Sequence, residues 1–217
     1  MKILIPTVSR SDFGILTLLI KNLRKEKKFK VNTLVTGEHF SKKMGHTYKE
    51  VIRKKIKINF NFKLSEYNSN SNSILKKSSQ IILKVSNLLS RDRPDLLIVL
   101  GDKYETLIIS YCAFIHRIPI FHIHGGEKTA GSLDDTFRHQ ISKMSNLHFV
   151  ERKIYKKRLM QLGENSNEII IAGSLARETI KKNNFYSRKY IEKKFNFKFF
   201  DKNIIFTFHP EIGEKLN

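Results

Sequence analysis

Short apolar runs recur along this chain, and each gives way to a polar or glycine-bearing turn and then to a segment of helical period. KILIPTV (2–8), VNTLVT (31–36), DLLIVL (95–100), IPIFHIH (118–124), LHFV (147–150) and EIIIA (168–172) are the runs. A brief, continuously apolar segment is what a strand covered on both faces of a parallel sheet requires. Between them, residues 11–24 place Phe13, Leu16, Leu19, Ile20 and Leu23 on one helical face. Residues 74–90, 104–116, 132–144 and 154–162 also read as helices, and 65–73 (SEYNSNSNS) as a polar loop. Residues 55–62 alternate Ile56, Ile58, Phe60 and Phe62, the pattern of a half-buried strand.

Strand–helix alternation of this kind predicts an α/β chain with a Rossmann-like, doubly wound parallel sheet. Residues 1–180 are read as that domain, and 181–202 as a basic linker with some helix. Residues 203–217 open with NIIFTF (203–208), read as the first strand of a second domain whose other strands do not follow. Cys112 is the single cysteine, which rules out an internal disulfide and suits a reducing cytoplasm. The first apolar run is too short for a signal peptide, and none is long enough to span a bilayer.

The densest chemistry lies in 118–139, IPIFHIHGGEKTAGSLDDTFRH. In an open parallel sheet, ligands bind beyond the carboxyl ends of the strands. There this segment carries His122, His124, Glu127, Asp134, Asp135, Arg138 and His139, with Gly125 and Gly126 allowing a sharp turn. Arg10, Asp102, Glu127 and His209 each follow the end of a predicted strand, so the same rule turns them toward one cleft. Plainer roles are open for several of them. Asp12 and Asp102 suit helix caps, and Ser132 with Asp135 forms a capping-box pattern. Arg138 stands at ion-pair spacing from Asp134. His122 and His124 could form a metal pair with Glu127, as in a metal-dependent hydrolase, or line the site, or pack in the core. GGEKT lacks the glycines of a P-loop, and there is no G-x-G-x-x-G.

The formal net charge of +21 raises the question of nucleic acid. The lysines are spread through every segment, and most phenylalanines lie in strand-like runs rather than within a basic surface. We therefore expect no nucleic-acid partner; the basic field suits a small anion such as a nucleotide diphosphate.

SRSDFG, GDKYE, HIHGGEKTAGSLDDTFRHQISK, LHFV and the late FTFHP, in this order and spacing, resemble the UDP-N-acetylglucosamine 2-epimerases. The closest likeness is to the hydrolysing branch of sialic and legionaminic acid biosynthesis. The resemblance implies the N-terminal half of a glycosyltransferase-B-type two-domain fold, with the active site between the domains. It implies a UDP-sugar substrate, either UDP-N-acetylglucosamine or UDP-N,N'-diacetylbacillosamine, with no cofactor, no metal and no membrane partner. The full-length protein is expected to be a cytoplasmic homo-oligomer. Asp102, Glu127, Asp134 and His209 are the expected catalytic residues, His209 through the leaving diphosphate. Arg10, at the diphosphate, His124, Arg138 and Ser174 are the expected substrate-binding residues. The second domain of the family is expected beyond Asn217, so a truncated, inactive fragment is one alternative. A non-hydrolysing epimerase is another.

Overall fold

The computed structural model describes residues 1–65, 71–182 and 185–207. Seven strands, all parallel, form one sheet in the order β3-β2-β1-β4-β5-β6-β7. They are β1 (Lys2–Thr7), β2 (Lys30–Val35), β3 (Phe60–Asn61), β4 (Leu96–Leu100), β5 (Ile120–Ile123), β6 (Leu147–Val150) and β7 (Ile169–Ile171). The order runs outward one way from β1 to β3 and the other way from β4 to β7. The reversal lies between β1 and β4, so a ligand crevice is expected at their carboxyl ends. This is the doubly wound fold that the alternation of runs predicts.

Side chains along a strand alternate between its two faces, and β4 shows the result. Leu97 and Val99 enter a core with Leu4, Ile81, Val85, Ile109 and Ile120. Leu96, Ile98 and Leu100 enter the opposite core with Ile3, Ile5, Phe13, Leu16 and Ile20. The strand must be apolar throughout because both of its faces are covered.

The flanking helices are α1 (Arg10–Lys25), α2 (Tyr48–Arg53), α3 (Ser71–Arg91), α4 (Tyr104–Ile115), α5 (Leu133–Lys143), α6 (Lys153–Gln161), α7 (Leu175–Lys182) and α8 (Arg188–Phe195). Ser78, Ile81, Val85 and Leu89 of α3 are buried at helical spacing. Fully burying each of the last three contributes about 2 kcal/mol. Among the described residues, no helix is long and apolar enough to cross a membrane.

Three parts of the chain depart from the expected elements. The strand expected over 55–62 contracts to Phe60–Asn61. Lys55 takes a left-handed turn (φ 56°) off the end of α2, and its N–H bonds back to Ile52 at 2.9 Å. The Arg24 guanidinium then caps the carbonyl of Lys57 at 2.8 Å, where a strand would offer ladder bonds. The stretch after 181 is more helical than expected: α8 starts where Ser187 Oγ accepts from the Tyr190 N–H at 3.2 Å. It stops at Asn196, φ 52°. Residues 203–207 form no strand here, and Ile204, Ile205 and Phe206 are exposed. Phe208 lies outside the described residues.

Candidate active site

Arg10, Asp102, His124 and Glu127 follow strand ends, whereas Asp134 and Arg138 are carried on α5. Arg10 opens α1 directly after β1 and is exposed. The turn before it is fixed by Asp12, whose carboxylate accepts from Thr7 Oγ1 and from the Val8 and Ser9 N–H groups at 2.9 and 3.1 Å. Asp12 is therefore the helix-entry cap that its position suggests. Burial pushes its carboxyl up to about 6.

Asp102 follows β4 in the gap before α4, and the guanidinium of Arg138 binds its carboxylate. Arg138 is buried, its side chain only 6% exposed. It also donates to Thr129 Oγ1 at 3.2 Å. Its partner is thus Asp102 and not Asp134, and the pair is internal rather than on the surface. Nε and Nη1 of Arg138 have no hydrogen-bond partner among the described residues.

The loop after β5 turns at His124, φ 69°, and Gly126, φ 73°. At Gly126 only glycine fits, because a Cβ there would stand 2.4 Å from the carbonyl oxygen of Tyr155. His124 sits between two carboxylates. Its Nδ1 is 3.4 Å from Glu127, and its Nε2 is 3.4 Å from Glu151. Burial raises the Glu127 carboxyl above its usual range, opposed by His124. Asp134, in the first turn of α5, is raised as well, by burial first and then by the Asp102 charge.

The capping box expected of Ser132 and Asp135 forms only in part. Ser132 Oγ accepts from the Asp134 N–H at 3.2 Å. Asp135 turns instead to the Thr129 N–H at 2.7 Å, so it pins the glycine loop onto α5.

His122 does not join His124. It is fully buried, with Nε2 2.8 Å from the Gly101 carbonyl oxygen and Nδ1 3.1 Å from Ser142 Oγ. Burial drives its pKa down to about 3. The ring is therefore neutral, and Nε2–H is the donor to Gly101. Of the roles open to His122, packing in the core is the one it takes: both its nitrogens are occupied, joining β5 to the end of β4 and to α5. The donor atoms that do converge, within 4.8 Å, belong to His124, Glu127 and Glu151.

Ser174 Oγ accepts from the Arg177 N–H at 3.3 Å at the start of α7, a capping contact. His209 lies outside the described residues. Two charged groups escaped the sequence reading. Glu151 directly follows Val150 of β6, so the same strand-end rule would have found it. Lys103, paired with Glu38 at 2.8 Å, needed the tertiary contact.

The carboxyl groups of Asp102, Glu127, Asp134 and Glu151 thus lie around Arg138 and His124, with Lys103 near Asp134. Such a set can move protons at a carbon or oxygen centre and neutralise a leaving anion.

Known proteins share this arrangement of chain. The chain is 38% identical over 209 residues, 96% of its length, to GDP/UDP-N,N'-diacetylbacillosamine 2-epimerase (hydrolyzing) of Campylobacter jejuni. It is 35% identical over 97% of its length to polysialic acid biosynthesis protein P7 of Escherichia coli. It covers 54% of each, so the chain spans about half the length of the curated relatives it matches. The crystal structure of UDP-GlcNAc 2-epimerase from Neisseria meningitidis bound to UDP-GlcNAc shares the fold. There the TM-score is 0.76 at 22% identity, covering 90% of this chain and 53% of that one. The sheet is accordingly half of a glycosyltransferase-B-type fold. The family model described as UDP-N-acetylglucosamine 2-epimerase matches residues 21–216, and the chain belongs to that family.

Proposed function

We propose that the protein carrying this chain is a hydrolysing UDP-sugar 2-epimerase. Its substrate in this reading is UDP-N,N'-diacetylbacillosamine or UDP-N-acetylglucosamine. The observation that carries the reading is the cluster of Asp102, Glu127 and Asp134 beyond the carboxyl ends of β4 and β5, in a chain 38% identical to a relative named as a hydrolysing 2-epimerase.

A carboxylate of this cluster removes the proton from C2 of the sugar while the C1–O bond to UDP breaks. Arg10 steadies the diphosphate as it gains charge, and His209 is assigned to the same group. The product of elimination is a glycal. Water then adds across its double bond, with the proton reaching C2 from the opposite face and the hydroxyl joining C1. UDP-sugar and water thus become UDP and a free 2-epimerised sugar. Glu127 and Asp134 suit proton transfer because both carboxyls are raised above their ordinary range, toward the pH at which an acid–base group is most effective. Asp102 is already committed to Arg138, so it suits the orienting part. His124, Arg138 and Ser174 belong to the walls of the substrate site in this reading.

In this reading the free mannosamine-type sugar feeds sialic or legionaminic acid biosynthesis in the cytoplasm. A homo-oligomer is proposed for the full-length protein. The test is incubation of the full-length gene product with each UDP-sugar, following UDP release and the product by NMR. UDP with a free 2-epimer is expected. A UDP-linked epimer would identify the non-hydrolysing reaction, and no turnover of either substrate would remove the proposal.

A further inference from the structure

Glu151 has no part in the scheme above, yet it is the second carboxylate on His124. Its Oε1 stands 3.4 Å from Nε2, while Oε1 of Glu127 stands 3.4 Å from Nδ1 of the same ring. The three side chains are half-buried: 15% exposed at His124, 24% at Glu127 and 20% at Glu151. They come from two neighbouring strand ends, because β5 and β6 are paired. The His124 N–H continues that pairing to the Phe149 carbonyl at 3.1 Å. A left-handed backbone is uncommon outside glycine, and at His124 it accompanies a ring set between the loop carboxylate and the β6 carboxylate. At 3.4 Å neither contact is a closed hydrogen bond, and Nε2 is buried with no such bond among the described residues.

We infer that Glu151 is a positioning residue for the proposed reaction, holding the His124 ring from behind so that its other nitrogen faces and orients the carboxyl of Glu127. This rests on the reading of Glu127 as an acid–base group. A neutral imidazole has one N–H and can donate to only one of two carboxylates, whereas a ring carrying both protons serves both. Glu151 therefore biases which nitrogen is protonated and, through it, how Glu127 is held. The other charged groups acting on Glu127 are Arg138 and Asp102, while the His122 ring, which couples to His124, is neutral. Both charged groups are occupied by each other, which leaves the ring to the two glutamates.

The experiment uses the full-length protein with Glu151→Gln, Glu151→Ala and Glu151→Asp. Glu151→Gln keeps the shape and loses the charge. It should lower kcat by about 10- to 100-fold, as misplacement of a catalytic group does, with KM little changed and the acid limb of the kcat–pH profile displaced. Glu151→Asp should recover part of the loss. In ¹⁵N NMR of the His124 ring, Glu151→Gln should move the Nε2 resonance and Glu127→Gln the Nδ1 resonance. Wild-type kcat and pH profile in Glu151→Gln would overturn the inference. So would an unmoved Nε2 resonance. A divalent cation held stoichiometrically through dialysis, with chelator-sensitive activity, would overturn it in favour of coordination. The NMR measurement needs no turnover, so it still decides the coupling if the enzyme releases no UDP and the reading of Glu127 fails instead.

Discussion

Arg138 of α5 and Asp102 after β4 form an ion pair that ties α5 to the carboxyl end of β4. The arginine side chain is 6% exposed and the aspartate 22%. Removing one partner strands the other charge where water cannot fully solvate it, and that is costlier than the pair itself is stabilising.

Asp102→Asn should therefore lose stability as well as turnover. The expected loss is about 3 kcal/mol, the low end for a buried pair because Asp102 is partly solvated, or roughly 6–12 °C in Tm. Thermal unfolding of purified protein checks it. An unchanged Tm would mean that Arg138 finds another partner.

Glu127→Gln separates chemistry from folding. Its contact with His124 is loose, so the unfolding free energy should stay within about 1 kcal/mol of wild type. Turnover should fall about 10²- to 10⁴-fold, the usual effect of losing an acid–base group. Wild-type turnover would dismiss Glu127 from the chemistry.

Gly126→Ala tests the tight loop. The backbone is left-handed at φ 73°, and the new Cβ would meet the Tyr155 carbonyl oxygen at 2.4 Å. The first penalty alone is about 1 kcal/mol, and relief of the second needs α6 to move off the loop. The loop at 125–132 should exchange its amide hydrogens faster than in wild type. Gly14→Ala is the control, since a Cβ there meets nothing within 4 Å.

Glu105 gives the pH dependence of stability a defined sign. It is buried in the first turn of α4, and burial raises its carboxyl from 4.5 to about 7. A carboxyl whose folded value is raised binds its proton more tightly in the native state. Its stabilising contribution is complete below the unfolded value and fades as the pH rises from about 4.5 to about 7. The span is worth up to about 3 kcal/mol. Glu105→Gln should remove this slope, so that Tm falls less between pH 5 and 8 than in wild type. Equal slopes in the two proteins would place the titration elsewhere.

How much of this was legible in the sequence follows from what each feature depends on. The strands were readable because burial on both faces demands unbroken apolar runs, and β6 lies at 147–150 as its LHFV run predicts. The strand-end rule also pointed Asp102 and Glu127 toward one another, since it needs only the order of elements and the place where each run stops. Residues 55–62 misled because Ile56, Ile58 and Phe60 alternate as a strand would, while the left-handed turn at Lys55 and the cap from Arg24 of α1 do not show in that alternation. Spacing likewise left open whether His122 pairs with His124. Only the tertiary structure separates them, because the Gly101 carbonyl and the Ser142 hydroxyl that occupy His122 are 21 and 20 residues away. The choice of Asp102 over Asp134 by Arg138, and the seat of His124 between Glu127 and Glu151, are of the same kind. A local pattern states which groups a chain carries and roughly where its elements stop. Partner choice depends on distances across strands, and those exist only once the sheet has formed.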